Sequence, residues 1–239
     1  MGMFSQYTKE GHGISKEQAN APSFIQFFRI LGTRFWSLII LNLIYILFCL
    51  PIITIGPATA GLVKVLRNWS RREHAFIWGD FWETLKSNFR QSFLVGLINL
   101  IVFPILIYDL WFFWANGAHV FYVILIAASA IIWLFMNYYI FTMLITFRLK
   151  LTQLYKNAFI FAWAGIVRNI GISGIIAAVC WLFLVFKSSP LVWLVYFCCF
   201  IGFVWYVIVF ITYPLIKRTM IDGFDPKTGK KIEQQTNLE

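Results

Sequence analysis

The sequence predicts an all-α membrane protein, a polytopic helical bundle of about five transmembrane helices with two or three amphipathic helices at the membrane surface. Of its 239 residues, 60% are hydrophobic and only 13% are charged, whereas soluble domains carry roughly 25% charged residues. The apolar residues also form uncharged runs of about 20, the length that a helix needs to cross a bilayer. The composition therefore excludes a soluble enzyme, a nucleic-acid-binding domain and a secreted disulfide scaffold.

Five runs carry the prediction of membrane spans. They cover residues 35–55, 92–114, 121–144, 169–186 and 191–215. The only charged residue within them is Asp109, near the end of the second run. The domain organisation that follows is an N-terminal segment with a surface helix over 1–34, a transmembrane domain over 35–216 and a basic tail over 217–239.

The Lys and Arg residues are distributed unevenly between the spans. Four precede the first span, six lie between the first and second, and none lies between the second and third. Four lie before the fourth span, one before the fifth and five after it. Because cytoplasmic loops gather positive charge, the first loop, the third loop and the C-terminal tail are predicted to be cytoplasmic.

The side on which the N-terminus lies has two solutions. Five spans with a cytoplasmic C-terminus place the N-terminus outside, where the six charges of the first loop outweigh the four before it. Alternatively, residues 35–66 form a re-entrant hairpin hinged at Leu50 and Pro51, which leaves four full spans and an inside N-terminus. The five-span arrangement is favoured because it requires no irregular backbone at membrane depth.

The end of the first span contains a helix-break motif at Pro51, Thr54, Gly56 and Pro57. Pro51 lacks a backbone donor and should break the helix, and Pro57 suits the first position of a new helix with Thr54 as a possible cap. The new helix, at about 57–69, is interpreted as a surface helix after a kinked span. A broken helix that presents backbone groups to a ligand, as in transporters, is the alternative.

Two cytoplasmic loops contain amphipathic helices. Their apolar faces, at helical spacing, provide the candidate partner contacts Trp78, Phe81, Trp82, Leu85 and Phe89 in the first loop and Leu154, Tyr155 and Phe159 in the third. Asp80 is the expected N-cap of the first helix. Both helices are predicted to lie along the inner membrane surface with the apolar face down, either as passive anchors or as docking sites for a partner subunit.

Each amphipathic helix closes on a Lys-x-x-Phe sequence, at 86–89 and 156–159, and a pair of spans follows each. This pattern suggests two parallel repeats over 76–147 and 150–216, an arrangement that transporters often have.

The polar residues deep in the spans are the amides Asn42, Asn99 and Asn137. Hydrogen bonds between helices are their expected role, because an ion-coupled transporter normally carries buried ionisable groups. The four cysteines lie inside apolar runs and the three histidines are isolated, so neither a metal site nor a cofactor is expected. Paired carboxylates and nucleophile sets are also missing from the sequence, and the chain is predicted not to be an enzyme.

Asn42-Leu43 and the run 50–60, Leu-Pro-Ile-Ile-Thr-Ile-Gly-Pro-Ala-Thr-Ala, resemble the signature of the YesL-like bacterial membrane proteins, a family of unassigned function. The stretches 81–89 and 156–158 resemble that family too, and its five-span layout fits nearly the whole chain. The sequence departs from the family at Pro57, which replaces the usual residue after the glycine, and in the tail after Lys217. The resemblance provides no catalytic residues.

Members of that family are commonly encoded beside sugar-uptake ABC transporters in Gram-positive bacteria. The resemblance therefore implies a multi-pass protein of the bacterial cytoplasmic membrane, acting as a non-enzymatic accessory subunit or assembly factor of a carbohydrate ABC importer. The implied partners are the lipid bilayer and either permease subunits or a second copy of the chain. A divergent permease and an ion-coupled small-solute transporter are the alternatives, although the third loop lacks the Glu-Ala-Ala…Gly pattern with which importer permeases engage their ATPase.

Overall fold

The computed structural model describes residues 23–117, 119–186 and 190–221. In these ranges the chain is helical and contains no strand, which confirms the predicted fold class. The helices are α1 Ser23–Thr33, α2 Phe35–Cys49, α3 Ile55–Ser70, α4 Ile77–Ser87, α5 Phe89–Ala115, α6 Val120–Leu144, α7 Leu151–Ala164, α8 Ile166–Val185 and α9 Pro190–Ile216, which continues as a π-helical turn over Lys217–Ile221. Most of the predicted N-terminal segment (1–22) and tail (222–239) lies outside the described residues.

Within the described ranges, four helices are long and apolar enough to cross a membrane, namely α5, α6, α8 and α9. They match the four predicted spans after the first, with ends that differ by a few residues. A fifth span is reached only if Ile25–Thr33 and α2 are counted together, because α2 alone has 15 residues and a span needs about 20. By length and composition the chain is therefore a multi-pass membrane protein with four or five spans.

The predicted first span, 35–55, is broken at the helix-break motif. Helix α2 ends at Cys49, a short 3-10 turn occupies Ile52–Thr54, and α3 begins at Ile55. Pro51 lies between the two helices as expected, since its ring and missing N–H prevent the helix from continuing.

Two details of this break differ from the prediction. The hydroxyl group of Thr54 does not cap α3 but donates to the carbonyl oxygens of Phe48 and Pro51, so it stabilises the turn that precedes the helix. Pro57 is the third residue of α3 and not the first. A proline is tolerated there because the N–H groups of the first helical turn have no partner within the helix.

The chain bends back sharply between α2 and α3. The hydroxyl oxygens of Tyr45 and Thr59 lie 3.3 Å apart, whereas 14 residues of continuous helix would separate their backbones by about 21 Å. Residues 35–66 are therefore bent at the 3-10 turn, close to Leu50 and Pro51, and the bend lies beside Ser92, near the start of α5.

Helix α3 is the centre of the bundle, with 13 of its 16 residues buried. It packs against α4, α5, α6 and α9. The interpretation of this segment as a surface helix is therefore wrong. The physical reason lies in its first turns, where small residues allow neighbouring helices to close around the backbone.

Three glycines make this close packing possible. A Cβ atom at Gly96 of α5 would lie 2.8 Å from the Cα atom of Gly56, and a Cβ atom at Gly56 would overlap the carbonyl oxygen of Ser92. On the other side of α3, a Cβ atom at Gly61 would lie 2.9 Å from the ring of Phe81. Helices α3 and α5 thus touch backbone to backbone.

The packed core occupies one end of the bundle, the end that carries α3, α4 and α7. The buried residues of α6 lie in its last ten positions, Phe135 to Leu144, and those of α5 are Ser92 and Val95, close to its start. The opposite halves of the spanning helices expose large apolar side chains, as at Trp111 and Leu184. Such surfaces are suited to lipid, which solvates apolar side chains at membrane depth.

The two amphipathic helices are present, but α4 does not bury its apolar face in the membrane. Phe81 is fully buried against α3, with Leu85 beside it, so the protein's own central helix covers that face. Phe89 begins α5 and is not part of α4, and Phe76 occupies the N-cap position that was expected for Asp80. An amphipathic helix followed by two spanning helices occurs twice, in α4–α6 and in α7–α9. That these two halves are repeats of each other stays a prediction.

Replacing Gly56 or Gly96 by alanine should destabilise the bundle, because the added methyl group has no room and α3 and α5 must move apart. Overpacking of this kind costs about 1–3 kcal/mol. The expected result is a lower midpoint of thermal unfolding in mild detergent. Gly174→Ala in α8 is the matched control, since nothing lies within 4 Å of a Cβ atom there. Equal shifts in all three variants would contradict the close approach of α3 and α5.

Candidate functional site

Three features lie around α3 and make up the candidate site: a buried arginine, a cavity between the spanning helices, and an aromatic patch on α4. Each contains polar or aromatic groups that packing alone does not require.

The buried arginine is Arg67, near the end of α3, which is 6% exposed. Its guanidinium group donates to the carbonyl oxygen of Ile145 at 3.0 Å and to Thr146 Oγ1 at 3.2 Å. Ile145 follows the last residue of α6, so the cation lies at the end of that helix where unpaired carbonyl groups give a partial negative charge. Arg67 therefore fastens α3 to α6.

The neighbouring residue extends this connection to α4. Arg67 also donates to Asn68 Oδ1 at 3.3 Å, and Asn68 Nδ2 donates to Asp80 Oδ2 at 3.3 Å. Burial lowers the pKa of the Arg67 guanidinium, and the nearby charge of Arg71 lowers it further. Burial likewise lowers the pKa of Lys64, one turn earlier on α3. A carboxylate, an amide and a cation from two helices thus form one polar chain.

Asn42 connects α2 to the last spanning helix. Its Nδ2 donates to the carbonyl oxygen of Phe197 at 2.9 Å, and its Oδ1 accepts from the backbone N–H of Gly202 at 2.8 Å. The side chain is fully buried, so both of its polar ends are satisfied by the backbone of α9. This is the hydrogen bond between helices that was expected for a span amide.

The cavity has a volume of about 760 Å³ and lies within the bundle. Its base is formed by the 3-10 turn and the start of α3, and its walls by α5, α6, α8 and α9. The lining is mostly apolar and includes no Asp, Glu, Lys, Arg or His; its polar members are Tyr45, Thr59, Asn99, Asn137, Tyr138, Ser173 and Trp205.

Two hydrogen-bonded polar pairs in the cavity lining join neighbouring helices. Asn99 Nδ2 of α5 donates to Asn137 Oδ1 of α6 at 2.6 Å, and Asn137 Nδ2 donates to the carbonyl oxygen of Trp133. The hydroxyl oxygens of Tyr138 on α6 and Ser173 on α8 lie 3.0 Å apart. The predicted intramembrane amides Asn99 and Asn137 are thus brought together, whereas Asn42 lies elsewhere.

The aromatic patch consists of Phe48, Phe76, Trp78 and Trp82. The rings of Trp78 and Trp82 stack with centroids 6.2 Å apart, and Phe48 of α2 lies 5.5 Å from Trp82. The ammonium group of Lys86 lies 4.6 Å above the Trp82 ring, at cation–π distance. Phe76 is 76% exposed and Trp78 is 56% exposed, so the patch presents aromatic surface to its surroundings.

The predicted partner-contact residues divide by exposure. Phe81, Leu85 and Leu154 are buried within the chain, and they are therefore unavailable to a partner. Tyr155 is half-buried and stacks on Trp133 with ring centroids 5.8 Å apart. The members that remain available are Trp78, Phe89 and Phe159, which are exposed, and the half-buried Trp82.

Among the described residues, no three His, Cys, Asp or Glu side chains come close enough to hold a metal ion. Cys49, Cys180, Cys198 and Cys199 are all free thiols.

Sequence reasoning missed Arg67, Gly96 and the Tyr138–Ser173 pair. Arg67 was counted only as a positive charge of the first loop, although its place on the same helix as a stretch of small residues was a usable signal. Gly96 and the hydroxyl pair gave no signal, because each depends on a neighbour from another helix.

Comparison with known proteins gives a match to a protein family. The model of a family described as "Protein of unknown function, DUF624" matches residues 38–110, which extend from α2 into α5. YesL-like proteins carry DUF624, so the resemblance is confirmed over that segment. No curated protein and no solved structure matches the chain.

Arg67→Ala should lower the thermal stability of the purified protein, because the carbonyl oxygen of Ile145 and the amide of Asn68 lose a buried donor. Leaving buried polar groups unpaired costs about 1–3 kcal/mol. The control is Arg71→Ala, which removes an ion pair to Glu73 at 2.7 Å whose side chains are 40% and 45% exposed. Such exposed pairs contribute about 0–1 kcal/mol. If Arg71→Ala lowered the midpoint of thermal unfolding as much as Arg67→Ala, the role of Arg67 would be contradicted.

Proposed function

We propose that the chain is a non-enzymatic membrane subunit or assembly factor of a carbohydrate importer driven by an ABC ATPase. The observation that carries this proposal is the aromatic patch on α4. Tryptophan and other aromatic side chains are enriched where proteins bind each other, and here they are held rigidly by the packing of α4 on α3. The segment that matches the family model, residues 38–110, includes both the patch and α3.

The end of the bundle that carries the patch faces the cytoplasm in this proposal. The connections at that end carry Arg71, Arg72, Arg148 and Lys150, and positive charge marks cytoplasmic loops. An ABC ATPase is a cytoplasmic partner, so a permease bound to it would meet the patch on this side.

Asn42 of α2 bonds to Phe197 and Gly202, in the half of α9 that lies away from the packed end, whereas Gly56 after the turn lies beside Ser92 near the start of α5. Helix α2 therefore runs from the far side of the bundle towards the packed end. This course favours five spans, with the N-terminus outside, the C-terminus cytoplasmic and the protein in the bacterial cytoplasmic membrane.

The cavity weighs against the alternative in which the chain itself transports a sugar. Carbohydrates carry many hydroxyl groups, and each that leaves water requires a hydrogen-bond partner. A lining that is mostly apolar provides few. The absence of charged side chains from the same lining weighs against ion coupling at this cavity.

The proposed topology predicts a labelling pattern in intact cells. In a background free of native cysteines, a membrane-impermeant maleimide should label Asn116→Cys, in the connection after α5, without permeabilisation. Ser5→Cys should be labelled in the same way, because five spans place it outside, whereas Ser87→Cys should react only after permeabilisation. Labelling of Ser5→Cys only after permeabilisation would overturn the five-span arrangement and favour the hairpin alternative.

The proposed partner contact predicts that the tagged chain, solubilised from native membranes in mild detergent, recovers a permease subunit identified by mass spectrometry. The double variant Phe76→Ser/Trp78→Ser should recover much less, because it removes the most exposed part of the patch. The control is Trp111→Ser/Trp114→Ser, at the far end of α5, where the two side chains are 63% and 76% exposed.

If neither the unmodified chain nor either double variant co-purified with a permease subunit, the proposed function would be overturned. If both double variants recovered equal amounts of permease, the proposed function would stand, but the patch would not be the contact surface.

A further inference from the structure

The cavity is accessible from the hydrocarbon region of the bilayer. Leu97 and Leu100 line it and are also 40% and 48% exposed at the protein surface. They lie eight and eleven residues after the start of α5, which corresponds to a depth of about 12–17 Å along the helix. The opening therefore faces acyl chains, and a ligand enters from the membrane rather than from water.

Its size and lining select the class of ligand. A volume of about 760 Å³ falls within the range of roughly 300–1,000 Å³ that is typical of small-molecule sites. With no charged side chain in the lining, an ionic headgroup would lose its hydration without gaining a counter-ion. The cavity thus favours a neutral molecule that is mainly hydrocarbon.

Among the polar groups of the wall, one pair has a hydrogen to donate to such a ligand. The hydroxyl groups of Tyr138 and Ser173 carry two hydrogens, and the bond between them uses only one. No other hydrogen bond among the described residues uses the second. A ligand oxygen that accepts this hydrogen would complete the pair, and a carbonyl or ether oxygen has that capacity.

We propose that the cavity binds a neutral single-chain lipid of the monoacylglycerol class. Its uncharged oxygen-bearing head accepts a hydrogen bond from the Tyr138–Ser173 pair. Ser173 is seven residues from the start of α8, about 10 Å along the helix, so the head lies near the packed end of the bundle. The hydrocarbon chain extends along Phe103, Pro104 and Leu134, towards the half of the bundle that has no packed core.

The test uses the full chain reconstituted in phosphatidylcholine vesicles with a monoacylglycerol that carries a photoreactive diazirine in its acyl chain. Cross-linked peptides should map to α5 and α6, along which the acyl chain extends. Ala177→Phe places a ring in the cavity and should abolish this labelling. Ala178→Phe, at the exposed neighbouring residue outside the cavity lining, should leave it unchanged.

The hydrogen bond has its own test in the double variant Tyr138→Phe/Ser173→Ala. Because both hydroxyl groups are removed together, no buried hydroxyl group is left without its partner, and the fold should be retained. The monoacylglycerol concentration that gives half-maximal labelling should rise about tenfold, the effect of one lost hydrogen bond of about 1.4 kcal/mol. An unchanged concentration would overturn the role of the pair.

Three results would overturn the site. The first is undiminished labelling of Ala177→Phe, or of Ala177→Leu if the phenylalanine variant does not elute as a single species. The second is an equal loss in Ala178→Phe. The third is equal labelling by a phosphatidylcholine that carries the same diazirine chain and is equally sensitive to Ala177→Phe. This result would show that the cavity takes up the surrounding bilayer lipid and does not select a monoacylglycerol.

Discussion

The contact between Gly56 and Gly96 sets the distance between α3 and α5, and much of the structure depends on it. With no side chain between them, the two backbones touch, and α3 can lie inside the bundle instead of on its surface. Gly61 allows the same on the side of α4, where Phe81 fills the space. A helix that begins with small residues is thereby enclosed by four others, and it forms the base of the cavity.

Polar bonds then fix three of its four neighbours to this centre or to the helix before it. Arg67 holds the end of α6, Asn68 holds Asp80 of α4, and Asn42 holds α9. Within a bilayer, apolar side chains gain little by leaving lipid for a neighbouring helix, so close packing and hydrogen bonds must provide the specificity. The aromatic patch depends on the same centre, because α4 is held in place by α3.

The spans after the first could be predicted because an uncharged apolar run of about 20 residues has few other outcomes. The break at Pro51 was predictable for a local reason as well, since proline cannot continue a helix. Burial of α3 was not predictable, because Lys64 and Arg67 within it and Arg71 directly after it are typical of a surface helix. Only its partners in α4, α5, α6 and α9 show that it is buried. For the same reason Asn99 and Asn137 were found as single residues, whereas the Tyr138–Ser173 pair, 35 residues apart, was not found at all.

The bond between Asn42 and Gly202 joins residues that are 160 positions apart, and it has a consequence for biosynthesis. Helices α2 and α3 are made before the four spanning helices, yet α3 is enclosed only when α9, the last of these, is in place. Until then the amide of Asn42 has no protein partner, and water, headgroups or an insertion factor must satisfy it. The bundle is therefore completed only when its last helix reaches α2.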